Sequence, residues 1–318
     1  YIADMTLEVG NLIAFMTYAM QILISFMMLS AIFIMVPRAQ ASADRINEVL
    51  DEEVGINDPK DPKKLALAGK NATLAFEHVN YRYHGAEKLA LEDIDFSAKS
   101  GEIVAIIGGT GSGKTTLVNL IPRLYDIESG AIKINGTSIS EVTQYNLREL
   151  MGFVPQKAML FSGTIRENMQ YGKADATDEM IWKALEIAQA KEFVSELEDG
   201  LDSHVEQGGG NFSGGQRQRL AIARALVKPA DVYVFDDSFS ALDFKTDANL
   251  RQALKQNMTQ SITVLVAQRV STVMDADTIL VLDEGKLVGK GTHDELLKTN
   301  ETYQEIVHSQ LREEDLHE

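Results

Sequence analysis

The sequence predicts an α/β domain preceded by one long apolar helix. Three observations predict it. Residues 10–36 carry no charged side chain. Short apolar runs recur at 103–107, 232–235, 262–266 and 279–282, each the length of a buried strand. The octapeptide GGTGSGKT at 108–115 follows the first of those runs directly.

The N-terminal stretch NLIAFMTYAMQILISFMMLSAIFIMV, residues 11–36, exceeds the ~20 apolar residues that cross a bilayer. Asp4 and Glu8 precede it and Arg38 and Arg45 follow it, so the positive-inside tendency puts residue 1 outside and the remainder in the cytoplasm. A signal peptide would carry its basic residues at the other end and a shorter apolar run. Asn11, Thr17, Tyr18, Gln21, Ser25 and Ser30 are many polar members for a helix facing lipid alone. Met16, Met20 and Met27 fall on one helical stripe. Thioethers suit an adaptable binding surface, and ordinary helix packing explains the same stripe.

Ala39, Ala43, Ile46, Val49 and Leu50 continue a helical spacing beyond Pro37. The proline- and charge-rich GINDPKDPKK at 55–64 then reads as a linker. The expected division is therefore 1–52 for the helical segment, 53–70 for the linker and 71–318 for the α/β domain. Between 178 and 197 the pattern is helical, with Ile181, Leu185 and Ala188 on one face. The acidic end LREEDLHE at 311–318 reads as solvated or frayed. A first residue of tyrosine rather than methionine suggests a fragment of a longer chain.

Composition narrows the function classes. The 318 residues hold 30 Lys and Arg against 47 Asp and Glu, a formal charge of −17. Nucleic-acid binding through general electrostatics is not expected of such a surface. With no cysteine, disulfides, thiolate metal sites and cysteine nucleophiles are excluded.

The octapeptide fits G-x-x-x-x-G-K-[ST] in the context that the chemistry requires, a strand before and a helix after. Backbone N–H groups of Gly108, Gly109, Thr110, Gly111, Ser112 and Gly113 can close around phosphate oxygens at the positive end of a helix. Lys114 reaches the terminal phosphates, the Thr115 hydroxyl ligates magnesium, and Thr116 completes the nucleotide-contacting set. The expected ligands are a nucleoside triphosphate and Mg2+. Asp236 ends an apolar run and so sits at the carboxyl end of a buried strand, where a carboxylate suits that hard cation.

Two further segments, NFSGGQRQRLAIARAL at 211–226 and VYVFDDSFSALD at 232–243, make the chain resemble the nucleotide-binding domain of ATP-binding cassette (ABC) transporters. The resemblance runs from about residue 74 to the end, with the motifs in family order. The preceding helix and linker resemble the last membrane helix of an exporter half-transporter. The resemblance implies a P-loop NTPase fold with a helical subdomain. It implies that Tyr83 stacks on adenine, although a strand tyrosine taken alone is equally a core residue. It implies that Gln156 meets magnesium and senses the membrane domain. Ser213, Gly214, Gly215 and Gln216 correspond to the signature that closes over ATP held by a partner domain, head to tail. Ser240, Ala241, Leu242 and Asp243 resemble the loop through which the two sites communicate.

Two positions depart from the family. Asp237 stands where a glutamate normally polarises the attacking water, and Gln268 stands where a switch histidine is expected. Aspartate keeps the charge but withdraws it by roughly 1 Å, a displacement that can cost on the order of 10²-fold in rate. Glutamine donates a hydrogen bond but cannot carry a proton as histidine does. Both changes spare ATP binding and slow hydrolysis, unless Asp237 works through an additional water. The pair resembles the degenerate-site subunit of bacterial heterodimeric multidrug exporters, as do the wordings DDSFSALD and VEQGGGNFSGG. That resemblance implies a second half-transporter with intact glutamate and histidine, a bilayer, a lipophilic small-molecule cargo, and a cell-membrane location with the nucleotide domain cytoplasmic. A homodimeric exporter with two slow sites, and a soluble ABC-type ATPase of DNA repair or translation, are the alternatives.

Overall fold

The computed structural model describes residues 8–52 and 54–315, with side chains as far as residue 310. The expectations for residue 1, Asp4 and the side chains of the acidic end at 311–318 lie outside the described residues. The chain divides into two compact units, Tyr1–Asn57 and Asp58–Glu318.

The first unit is one helix, α1 (Val9–Leu50), of 42 residues with Pro37 inside it and no buried side chain. At ~1.5 Å per residue it is roughly twice as long as a bilayer core is thick, in keeping with a helix that continues beyond an apolar span. Its hydroxyls bond within the helix: Thr17 to the Ile13 carbonyl at 2.8 Å, Ser25 to Gln21 at 2.8 Å and Ser30 to Phe26 at 2.9 Å. These three therefore need no neighbouring helix to be satisfied.

The second unit is built on a ten-stranded sheet. Its parallel centre comprises β3 (Ile103–Gly108), β10 (Ile262–Val266), β9 (Val232–Asp236), β6 (Met151–Val154) and β11 (Thr278–Asp283). A largely antiparallel flank extends it on one side, with one parallel pairing between its β2 and β12: β1 (Thr73–Tyr81), β2 (Leu91–Lys99), β4 (Ser129–Ile134), β5 (Thr137–Ser138) and β12 (Lys286–Gly291). The order is β5-β4-β1-β2-β12-β11-β3-β10-β9-β6. Because side chains alternate across a strand, β3 sends Val104 and Ile106 into one apolar core and Ala105 and Ile107 into the other. Burial on both faces is why the central strands read as continuous apolar runs.

Helices cover the two faces. α2 (Lys114–Leu120) buries Leu117, Val118 and Leu120 in the first core, beside α3 (Gln144–Glu149). A helical layer on the second core comprises α4 (Ile165–Gln170), α5 (Asp178–Ile187), α6 (Lys191–Ser195) and α7 (Gly214–Leu226), with a small antiparallel pair, β7 (Gly163–Thr164) and β8 (His204–Val205). Capping explains where these helices start. Thr164 with Glu167, and Ser213 with Gln216, form reciprocal boxes, and Thr177 accepts from the Met180 N–H.

The helical pattern expected across 178–197 is divided. Gln189 takes a left-handed conformation at φ 58°. The Ala190 N–H then reaches the Leu185 carbonyl at 2.7 Å, and the Gln189 N–H reaches Glu186 at 3.1 Å, the paired bonds of a Schellman cap. Ile181, Leu185 and Ala188 are buried as expected. The C-terminal elements are α8 (Phe244–Asn257), α9 (Val270–Val273), α10 (His293–Thr299) and α11 (Glu301–Asp315).

Residues 58–70, expected to form part of a linker, pack with the domain instead. Leu65 is buried, and its N–H donates to Asn146 Oδ1 at 2.8 Å. The fully buried Asp231 carboxylate accepts the Gly69 N–H at 2.9 Å, the Ala68 N–H at 2.9 Å and the Asn135 side-chain amide at 2.7 Å. Asp231→Ala leaves those donors unmatched and should cost about 2–3 kcal/mol, or roughly 5–10 °C in Tm by calorimetry. An unchanged Tm would show that the carboxylate does not hold this segment.

Candidate nucleotide-binding site

The glycine loop leaves β3 between close neighbours. A Cβ on Gly108 would collide with the Leu282 carbonyl of β11. Gly113 has φ 102°, and a Cβ there would lie 2.9 Å from Leu91 Cδ2. Only glycine meets both demands. Gly109, Thr110 and Gly111 are exposed at the crest of the loop, and the Ser112 N–H returns to the Gly109 carbonyl at 3.2 Å.

Lys114 Nζ caps the loop, donating to the carbonyls of Gly108 at 2.8 Å and Gly109 at 2.7 Å. Burial lowers its pKa, against the pull of Asp237 and Asp236. The Thr115 hydroxyl donates to Asp236 Oδ1 at 3.2 Å. Burial raises the Asp236 pKa; the Thr115 bond opposes that shift, the Asp237 charge adds to it and Lys114 offsets part of it. Thr115 and Asp236 form an all-oxygen pair of the kind magnesium uses with substrate phosphates, so the residues fit the expected cation. Among the described residues no cluster of three acidic, histidine or cysteine side chains offers a full protein cage.

Asp237 is held from two sides. Gln268 Nε2 donates to its Oδ2 at 2.7 Å and Gln156 Nε2 donates to the same oxygen at 3.2 Å. Its backbone sits at φ 47°, left-handed for a residue with a Cβ, and is pinned by an N–H bond to the Val266 carbonyl at 3.0 Å. A water presented to Oδ2 must displace one of the two amides.

Tyr83 Oη lies 2.9 Å from Thr116 Oγ1, so the structure brings the expected adenine-stacking ring to the start of α2. That bond turns the Thr116 side chain toward the tyrosine. The ring is half-exposed and stands edge-on to Tyr81 and Tyr125, with centroids 4.9 and 5.5 Å away. Sequence reasoning missed Tyr125, because it belongs to no motif and reaches the site only through the fold.

Ser213 and Gly214 are exposed at the start of α7. Ser213 Oγ accepts the Gln216 N–H at 3.2 Å and Gln216 Oε1 accepts the Ser213 N–H at 2.9 Å. No hydrogen bond joins this cap to the Asp236–Asp237 cluster among the described residues. A Cβ on Gly215 would meet the Ala241 carbonyl at 3.3 Å, so the signature abuts loop 240–243. That loop returns to the cluster: Ser240 Oγ donates to the Asp237 carbonyl at 3.0 Å, and Arg269 Nη2 donates to the Ser240 carbonyl at 3.4 Å. Asp243 caps α8 by accepting the Thr246 N–H at 3.0 Å. Arg269, which sequence reasoning also missed, lies over the Phe244 ring at 5.2 Å.

A glycine loop between a parallel strand and a helix, facing an aspartate at the end of the next strand but one, defines a P-loop NTPase domain. Residues 91–240 match the family model described as ABC transporter. An ABC transporter ATP-binding protein of Mycobacterium tuberculosis is 43% identical over 96% of this chain and 52% of its own length. The ATP-dependent lipid A-core flippase of Xanthomonas campestris is 39% identical over 96% of this chain and 52% of its own. The solved structure of a bacterial Atm1-family ABC exporter with ATP bound superposes with TM-score 0.81 and 33% identity, over 96% of this chain and 53% of that one. The chain belongs to the ABC transporter family, and its larger unit is the family's nucleotide-binding domain, preceded by an apolar helix. It spans about half the length of the curated relatives it matches.

The raised pKa of Asp236 has a definite sign in stability. The folded domain binds this proton more tightly than the unfolded chain, so the stability that the group contributes is lost as pH rises from the ordinary aspartate range through the folded value. Asp236→Asn should therefore raise the Tm at neutral pH without nucleotide, with the gain vanishing in acid, and should abolish magnesium-dependent ATP binding. A Tm gain that persisted unchanged at low pH would contradict this origin.

Proposed function

We propose that this chain is the ATP-binding subunit of an ABC exporter. It binds ATP and magnesium through the loop at 108–116, Tyr83, Gln156 and Asp236, and uses ATP binding and hydrolysis to drive export across a membrane that α1 spans. Its unit at 1–52 is the end of a transmembrane domain, and the domain beyond the 53–70 segment is cytoplasmic. Kinship with an ABC exporter and a flippase supports this reading, as does a helix long and apolar enough to cross a bilayer. Protein that alkali or salt released from membranes without detergent would contradict it.

The finer reading is a heterodimer in which this chain holds the weaker site. The observation that carries it is the Asp237 carboxylate, which accepts both the Gln156 and Gln268 amides on one oxygen. A carboxylate one methylene shorter than glutamate, with one oxygen already engaged by two donors, offers an attacking water only its other oxygen. The Ser213–Gln216 segment, exposed at Ser213 and Gly214, is available to complete the site of a second half-transporter that carries the glutamate and histidine. An amphipathic or lipophilic cargo fits the apolar, methionine-bearing helix, and the flippase relative carries a lipid in its name.

Asp237→Glu combined with Gln268→His should raise ATP turnover at this site by roughly 10–100-fold, because the carboxylate advances by about 1 Å and the switch gains a titratable proton. Single-turnover measurements with the partner's site inactivated isolate the effect. If the unaltered chain already cleaves ATP as fast as the doubly substituted one, the weak-site reading is lost. A chain that assembles an active transporter without any second gene product would support the homodimeric alternative.

A further inference from the structure

The last helix reaches into the nucleotide site. On α11, Tyr303, Ile306, Val307 and Gln310 recur at intervals of three and four, on one helical face. Tyr303 is fully buried, with its hydroxyl 2.7 Å from His293 Nδ1, while Ile306 and Val307 pack partly buried on the second core. That face therefore fixes where the next turn points. Gln310 then makes two short bonds to the main chain around residue 269. Its Oε1 accepts the Val270 N–H at 2.7 Å, and its Nε2 donates to the Gln268 carbonyl at 2.6 Å.

The segment so held carries two of the side chains already placed at the site. Gln268 donates to Asp237 Oδ2, and Arg269 lies between the Ser240 carbonyl and the Phe244 ring. α9, whose first turn starts at Val270, has no side-chain cap of its own at Arg269. Gln310 supplies one from another element, satisfying an N–H that the helix leaves open. A primary amide suits the task, because it presents an acceptor and a donor side by side to an N–H and a C=O.

We infer that Gln310 is a positioning residue for the switch segment 268–270, and that α11 sets through it how Gln268 meets Asp237 and how Arg269 meets loop 240–243. The last helix thereby becomes part of the hydrolytic control of this site. The inference rests on the reading of Gln268 as the switch residue. It deepens that reading by naming what holds the switch in place.

The test uses the complete transporter, with its partner half, in lipid nanodiscs. Gln310→Ala and Gln310→Glu are made both in the natural chain and with Asp237→Glu and Gln268→His. Hydrogen exchange of the peptide covering 267–273 should accelerate at least tenfold in Gln310→Ala. In Gln310→Glu, which keeps an acceptor for Val270, exchange should be intermediate. In the doubly substituted background kcat should fall about tenfold in Gln310→Ala, and KM for ATP should change less than twofold, since Tyr83, Lys114 and Thr115 are untouched. Exchange equal to that of the parent overturns the inference. So does faster exchange with kcat unchanged, or a loss of KM and kcat together with the overall fold. If the two substitutions at 237 and 268 bring no gain in turnover, the weak-site reading fails separately, and the exchange of 267–273 alone decides for Gln310.

Discussion

The site depends on the register of three neighbouring parallel strands. Val266 of β10 pairs with Ile106 of β3 on one side and with Asp236 of β9 on the other. That alignment ends all three strands at one edge of the sheet. The phosphate loop leaves from β3, the Asp236–Asp237 pair from β9 and the Gln268 segment from β10, side by side. A slip of one residue would turn every side chain of a strand to the opposite core, so both apolar cores enforce the register that the chemistry needs. Placement of ligands at the carboxyl ends of parallel strands follows from this geometry.

Much of this was legible because burial writes itself into composition. The strands at 103–108, 232–236, 262–266 and 278–283 are buried on both faces, and unbroken apolar runs announced them. The glycine loop was legible for another reason: steric demands at Gly108 and Gly113 leave one residue type. The antiparallel flank was harder. β2 is buried at Leu91, Ile94, Phe96 and Ala98 with charged residues between them, and a register shift in its pairing with β1 breaks simple alternation. The Asp231 clasp was invisible, since a proline- and charge-rich segment looks solvated until the carboxylate that binds its N–H groups is placed, 162 residues beyond Gly69 in sequence. Tyr125, Arg269 and Gln310 act through tertiary contacts alone. The aspartate and glutamine at 237 and 268 were readable as departures, but their hydrogen bond to each other was not.

Electrostatics explains why the site needs a nucleotide complex to be at ease. Two adjacent carboxylates, Asp236 and Asp237, sit buried near one ammonium, Lys114, whose charge burial itself disfavours. Lys114 is the positive charge that acts against the raised pKa of Asp236. A divalent cation held by Thr115 and Asp236 would supply the missing positive charge, and backbone N–H groups of the loop would meet the phosphates that accompany it. Binding and the folding of this edge of the sheet are linked in the same terms, because whatever binds only the folded form stabilises it.

In the proposed heterodimer that linkage gives a slow site a use. A nucleotide clamped between two domains stabilises their closed arrangement for as long as it stays intact. Cleavage ends that contribution. If both sites cleaved quickly, the closed state would lose both contributions in each cycle. If one cleaves and the other retains its ATP, opening is driven at one edge while the other keeps the domains paired. On the proposed reading the group that would favour retention is Asp237, whose carboxylate is engaged by Gln156 and Gln268, while its backbone is pinned to Val266 and the switch segment is tied to the last helix. In that reading it is the occupied Oδ2 of Asp237, and not stillness as such, that would favour binding over turnover, because a water arriving there would meet an acceptor already engaged by Gln156 and Gln268.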